Sequence, residues 1–293
     1  MLGQIDLKTM LPFILLAAGG ATLFLLRSRL RADAFDQSPQ RRAGLGPMDI
    51  FIGLLIMMAS MALLLPPVAV ALGWPEKSED FTIEQIAWRS FIGQILSMGP
   101  AIAYILFRAN MTDGGVQALG LLPRKPWREL AAGGLGMLAA IPIVGAVSVI
   151  FTFIHALVTQ KPSDPIAHDM LRRMMETTEP LAIGLMVASA VILAPIFEEI
   201  IFRGLVQTSL QEATNYSQRW LIVLASAGIF CAIHADVAQW QALPGLMALG
   251  IILGWLYERH GSLLPCVLLH MLFNIANIGL ALLIRKEAAA GAG

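Results

Sequence analysis

Long apolar runs alternate with short polar connections along this chain. Hydropathy separates eight runs, roughly 8–26, 49–73, 89–107, 130–157, 181–202, 220–236, 243–258 and 262–284. Most approach the ~20 residues a helix needs to cross a bilayer. The two-residue alternation of a membrane barrel is absent. The pattern predicts an all-α polytopic membrane protein with about eight transmembrane helices. The fifth run is expected to continue as an amphipathic helix towards Leu210. The sixth and seventh are short, as tilted or partly re-entrant segments would be.

Composition agrees. Apolar residues make up 57% of the 293 and charged residues 14%, against about 25% charged in a soluble domain. The formal net charge of zero points away from a nucleic-acid partner. The first run lacks positive charge in front and a small-residue cleavage site behind, so it reads as an uncleaved span. Positive charge then sets the orientation. Arg27, Arg29, Arg31, Arg41, Arg42, Arg108, Arg124, Lys125, Arg128, Arg203, Arg219 and Arg259 fall in alternate connections, which places those connections in the cytoplasm and both termini outside. Arg285 and Lys286 argue mildly the other way. The basic first connection is typical of an inner (plasma) membrane protein. The chain divides into N-terminal helices and loops (1–180), a transmembrane core (181–284) and a flexible tail (285–293). Within the 157–180 connection, "HDMLRRMMET" predicts one short helix, and "GLLPRKPWREL" an interfacial segment with Trp127 at headgroup level.

Ionisable groups inside spans mark functional sites. "FEEIIFRGL" (Phe197–Leu205) holds Glu198, Glu199 and Arg203. On a helix, Glu199 and Arg203 form an (i, i+4) pair, which reads first as a buried salt bridge. Glu198 points about 100° away and has no partner on its own helix. It must find one on another span, bind a metal or take up a proton, and so is the stronger chemical candidate. His234 follows Phe230 by one turn. His270 and Asn274 share a face, with Asn277 near it. Counted from the helix ends at ~1.5 Å per residue, Glu198, His234 and His270 reach depths at which all three fit one cavity open to the cytoplasm.

Two chemistries suit this set. Glu198, His234 and His270 have the donor types of a catalytic zinc, or another divalent metal, with one position open for water. Without a metal, Glu198 and His234 would activate water as general bases, and His270 and Asn274 would donate to an oxyanion. Spacing does not separate the two. Cys231 and Cys266 lie three and four residues before the histidines. Buried free thiols are their usual state, with a thiolate–zinc site as the minor alternative.

Three motifs in order, "EEIIFR", "FCAIH" and "HMLFN", match E-E-x-x-x-R, F-x-x-x-H and H-x-x-x-N. Together, over about Leu181–Ile284, they resemble the CPBP family of intramembrane proteases, which includes the CAAX prenyl endopeptidases and bacteriocin-processing or self-immunity proteins. The resemblance implies a helical fold with a conical intramembrane cavity and peptide-bond hydrolysis in a membrane-anchored substrate. By position it implies that Glu198 and His234 activate water, that His270 and Asn274 stabilise the oxyanion or hold the site, and that Glu199 and Arg203 form the remaining pair. Two rivals stand beside this reading. One is a catalytically idle membrane scaffold or immunity protein. The other is a proton-coupled transporter using Glu198 and the histidines as a relay, which the lack of a visible internal repeat disfavours.

Overall fold

A computed structural model describes residues 7–162 and 169–291, which include no strand. The helices are α1 (Leu7–Leu26), α2 (Pro47–Ala71), α3 (Ile83–Asn110), α4 (Pro126–Thr159) and the short α5 (Asp169–Glu176). They continue as α6 (Pro180–Ala213), α7 (Arg219–Ala232), α8 (Leu243–His260) and α9 (Leu264–Gly291). Among the described residues, seven are long and apolar enough to cross a membrane, and α7 is a shorter apolar helix. The protein is thus an integral membrane protein of the expected class. Residues 292–293 of the expected tail, and Pro165 of the 157–180 connection, lie outside the described residues.

Local sequence sets the helix ends. Proline opens α2, α4 and α6, where its missing N–H costs nothing. Thr82 caps α3: its Oγ1 accepts from Gln85 N at 3.2 Å, and Gln85 Oε1 accepts from Thr82 N at 2.9 Å. The 34-residue α4 packs against α1, α8 and α9, while α2 pairs with α3 and α7 with α8. The main core runs from Ala43 through Ile105, Met137 and Leu205 to Tyr257 and Leu269. A second cluster seats Met174 and Met175 of α5 against Ala182, Met186 and Ala281.

Two features of α6 depart from a regular helix. It does continue past Leu210, but it widens to π-helix over Ser189–Leu193 and again over Ile200–Gln207. Wide turns disturb the regular hydrogen-bond ladder, and side chains supply donors to their carbonyls. Asn274 Nδ2 donates to Ala190 O at 2.7 Å, Ser226 Oγ to Phe202 O at 3.2 Å, and Thr208 Oγ1 to Arg203 O at 2.9 Å.

Several arginines counted above as loop charges are structural. Arg203 lies within α6 with no exposure. Arg41 is buried against α8: its Nη2 meets Glu258 Oε1 at 3.0 Å, its Nη1 donates to Tyr257 O at 2.8 Å, and its guanidinium stacks 3.7 Å from the Tyr257 ring centroid. Arg219 reaches the same Glu258 at 3.4 Å. Burial works against the Arg41 cation, but Tyr257, Glu258 and Tyr216 outweigh it and raise its pKa. Tyr216 accepts from Arg41 N at 3.0 Å and donates to Arg41 O. Burial pushes the Tyr216 phenol from 10.0 to about 12, which keeps it a donor. Trp220, Trp255 and Arg259 donate to Arg31 O, Arg29 O and Ala34 O. The 27–46 connection is therefore a strap bound to the base of α7 and α8.

Candidate active site

The expected pair is present. Arg203 Nε stands 3.2 Å from Glu199 Oε2, and neither side chain is exposed. Glu199 does more than spacing indicated, because its second oxygen, Oε1, holds His270 Nδ1 at 2.9 Å. The contact joins α6 to α9 across 71 residues of sequence. Arg203 Nη2 also donates to Gly250 O of α8 at 3.3 Å.

Glu198 turns away from Arg203, as the helical geometry requires. Its Oε2 lies 3.9 Å from His270 Nε2, beyond direct hydrogen-bond reach, and its side chain is 13% exposed. The two carboxylates thus have opposite surroundings. Glu199 is flanked by an arginine on one oxygen and an imidazole on the other, while Glu198 faces an imidazole across a gap.

His234 departs from the expected placement in a span. Helix α7 ends at Ala232, and residues 233–237 form a chain of turns. His234 N bonds to Cys231 O at 3.1 Å, and Ala238 N to His234 O at 2.9 Å. The ring stays close to the helix end through Nδ1, which lies 2.7 Å from Phe230 O. A carbonyl only accepts, so this bond places hydrogen on Nδ1 and, in the neutral ring, the lone pair on Nε2. The same logic applies to His270, whose Nδ1 donates to Glu199.

Phe230 links the histidines. Its ring centroid lies 4.6 Å from that of His234 and 6.0 Å from that of His270, and Phe202 packs on it at 5.1 Å. Asn274 lies one turn beyond His270, with one amide hydrogen committed to Ala190 O. Ser189 Oγ donates to Gln94 Oε1 at 3.3 Å, which brings a mid-helix amide of α3 to the same π-helical segment. Hydropathy concealed Gln94 inside an apolar run; its signal was a lone amide in the middle of a span.

The sulfurs are occupied elsewhere. Cys231 Sγ donates to Leu243 O at 3.2 Å and Cys266 Sγ to Leu253 O at 3.3 Å. Among the described residues, no group of three or more His, Cys, Asp or Glu is close enough to hold a metal ion. As placed, Glu198, His234 and His270 do not close into a ligand set.

Comparisons with known proteins fall on this region. A family model described as type II CAAX prenyl endopeptidase Rce1-like matches residues 180–276. An Escherichia coli protein named "Uncharacterized 24.3 kDa protein" is 30% identical over 131 residues, covering 44% of this chain and 58% of that protein. A Bacillus subtilis (strain 168) protein named "Putative membrane peptidase YdiL" is 34% identical over 93 residues, covering 32% of this chain and 36% of that protein. The chain thus spans little more than half of one relative and about a third of the other. No solved structure matches. From Pro180 to Ala276, the stretch that holds Glu198, Glu199, Arg203, His234, His270 and Asn274, this chain is similar to the type II CAAX prenyl endopeptidase Rce1-like family.

Proposed function

We propose that this protein is an intramembrane endopeptidase that hydrolyses a membrane-anchored peptide with water activated by Glu198. The observation that carries the reading is the division of labour between adjacent carboxylates. Glu199 is consumed by Arg203 and His270, and Glu198 is left facing His270 Nε2 at 3.9 Å. Divergent environments for neighbouring acids are how acid–base roles separate. The similarity of 180–276 to the Rce1-like family points the same way.

In this mechanism Glu198 takes a proton from water as the oxygen attacks the scissile carbonyl, and His234 Nε2 orients that water. Charge develops on the former carbonyl oxygen. His270, protonated with Nδ1 anchored on Glu199, donates from Nε2, joined by the remaining amide hydrogen of Asn274. The C–N bond breaks as Glu198 returns its proton to the leaving amine. Positive charge on the 27–46 and 111–125 connections favours a site open to the cytoplasm.

The test is cleavage of bilayer-anchored fluorogenic peptides, prenylated and unprenylated, by the protein in proteoliposomes. Glu198→Gln and His270→Ala are each expected to lower turnover at least ~100-fold, the scale of a lost acid–base group for the first and of a lost oxyanion donor for the second. Turnover near wild type in either variant removes that residue from the mechanism. Wild type without cleavage, alongside a partner that Glu198→Gln still binds, would favour the scaffold reading. The zinc alternative requires Glu198, His234 and His270 to draw together. It predicts about one metal per chain in protein purified without chelator, lost in Glu198→Ala.

A further inference from the structure

Where the strap meets the ends of α3 and α8, a cavity of about 810 Å³ opens, away from the Glu198 site. Arg41, Arg42, Arg124, Asp113, Glu212 and Thr112 are on its wall. Its size falls within the ~300–1,000 Å³ common for small-ligand sites. Three arginines face two carboxylates, and several of these charges are already committed. Arg41 is bound to Glu258. Glu212 accepts from the main-chain N–H groups of Ala43 at 2.7 Å and Gly44 at 3.1 Å. Arg42 and Arg124 are exposed, and among the described residues neither guanidinium makes an ion pair or hydrogen bond. Counted together, the three arginines against Asp113 and Glu212 leave the wall one positive charge in excess.

Exposed apolar side chains stand beside lining residues in sequence. Met111 is 65% exposed, Leu122 54% and Trp127 83%. They flank Thr112 and Arg124 in sequence, at helix ends where the chain leaves the bilayer. Tryptophan prefers headgroup level. A cavity with net positive charge, on segments that also expose large apolar side chains, suits a ligand with one anionic and one apolar end.

We propose that this cavity binds the phosphate of an anionic phospholipid headgroup, held by charge-assisted hydrogen bonds from Arg42 and Arg124. The shared chemistry is a phosphate bearing one net negative charge; the exposed Met111, Leu122 and Trp127 on the same segments favour a lipid over a free ion. The proposal does not depend on the peptidase reading.

Native mass spectrometry of the purified full-length protein tests it, with phosphatidylglycerol and phosphatidylcholine offered in equal amounts. Wild type is expected to retain one phosphatidylglycerol preferentially. Arg42→Gln and Arg124→Gln are each expected to weaken retention about tenfold, the scale of a lost charge-assisted hydrogen bond. Arg42→Lys/Arg124→Lys keeps the charge and is expected to keep most of the preference. Arg31→Gln, at an exposed arginine outside the cavity, is expected to change nothing. Unchanged retention in Arg42→Gln/Arg124→Gln, or equal loss in Arg31→Gln, overturns the proposal. Displacement of the lipid by millimolar inorganic phosphate as readily as by phosphatidylglycerol overturns the headgroup assignment in favour of a soluble anion. Thermal unfolding of each variant checks that the fold persists.

Discussion

At Glu199 the two carboxylate oxygens are divided between Arg203 Nε at 3.2 Å and His270 Nδ1 at 2.9 Å, in a site with no solvent exposure. Glu198 next to it is partly exposed and pairs with nothing at close range. Equal chemistry at the two positions therefore has unequal structural weight. Glu199→Gln would leave Arg203 buried without its counter-charge, and Arg203 Nη1 already has no hydrogen-bond partner. We expect a loss of ~3–5 kcal/mol, the scale of breaking one side of a buried pair. Glu198→Gln should stay within about 1 kcal/mol. Thermal unfolding in detergent compares the two directly, and a Glu198→Gln protein as unstable as Glu199→Gln would make Glu198 a structural residue. Spacing alone exposed the Glu199–Arg203 pair and the isolation of Glu198, because both follow from helix geometry. The bond from Glu199 to His270 was out of its reach, since nothing local to either motif states how α6 and α9 pack.

Among the elements, α8 explains how a helix with buried polar side chains can sit beside α6. Gly250 and Gly254 lie one turn apart on the face towards α6 and α7, and such small residues let helices approach closely. Their carbonyls accept from Arg203 Nη2 at 3.3 Å and Gln207 Nε2 at 3.0 Å. Gln207 Nε2 also reaches Glu258 Oε1 at 3.0 Å. A Cβ on Gly254 would come 2.8 Å from Gln207 Oε1 and 3.1 Å from Val223 Cγ1. Both bonds are made by Nε2 of the same amide, so a shift of Oε1 strains them. Gly254→Ala should therefore cost ~1–3 kcal/mol, as overpacking does. Gly279→Ala on α9, where a Cβ meets nothing within 4 Å, should gain up to about 1 kcal/mol of helix propensity. Equal unfolding temperatures for the two variants would show that the close approach carries no weight. Apolar period and length made the spans legible in advance. The π-helical turns of α6 and the end of α7 before His234 were not, because tertiary donors such as Asn274 and Ser226 stabilise the wide turns.

For the whole molecule, the strap ties the first helices to the part of the chain that matches the family. The match begins at residue 180, yet Arg41, far upstream, sits in the same buried network as Gln207, Arg219, Tyr257 and Glu258. The sequence concealed this because a basic connection beside a span reads as a topological signal. Only the packed structure distinguishes an arginine that faces water from one aimed at a buried carboxylate. Arg41→Ala would leave Glu258, which has no exposure, with Arg219 as its remaining ion-pair partner at 3.4 Å. The expected cost is ~3–5 kcal/mol. Arg41→Lys should recover little, because one ammonium cannot stack on Tyr257 while bonding both Tyr257 O and Glu258. Glu258→Gln removes the charge that Arg41 answers. The double variant Arg41→Ala/Glu258→Gln should accordingly be less destabilised than the sum of the two single changes. Unfolding temperatures of the four proteins close the cycle. Strict additivity would mean that the strap rests on α8 without the Arg41–Glu258 ion pair contributing, and that its other contacts, such as the bonds from Trp220, Trp255 and Arg259 to its main chain, hold it.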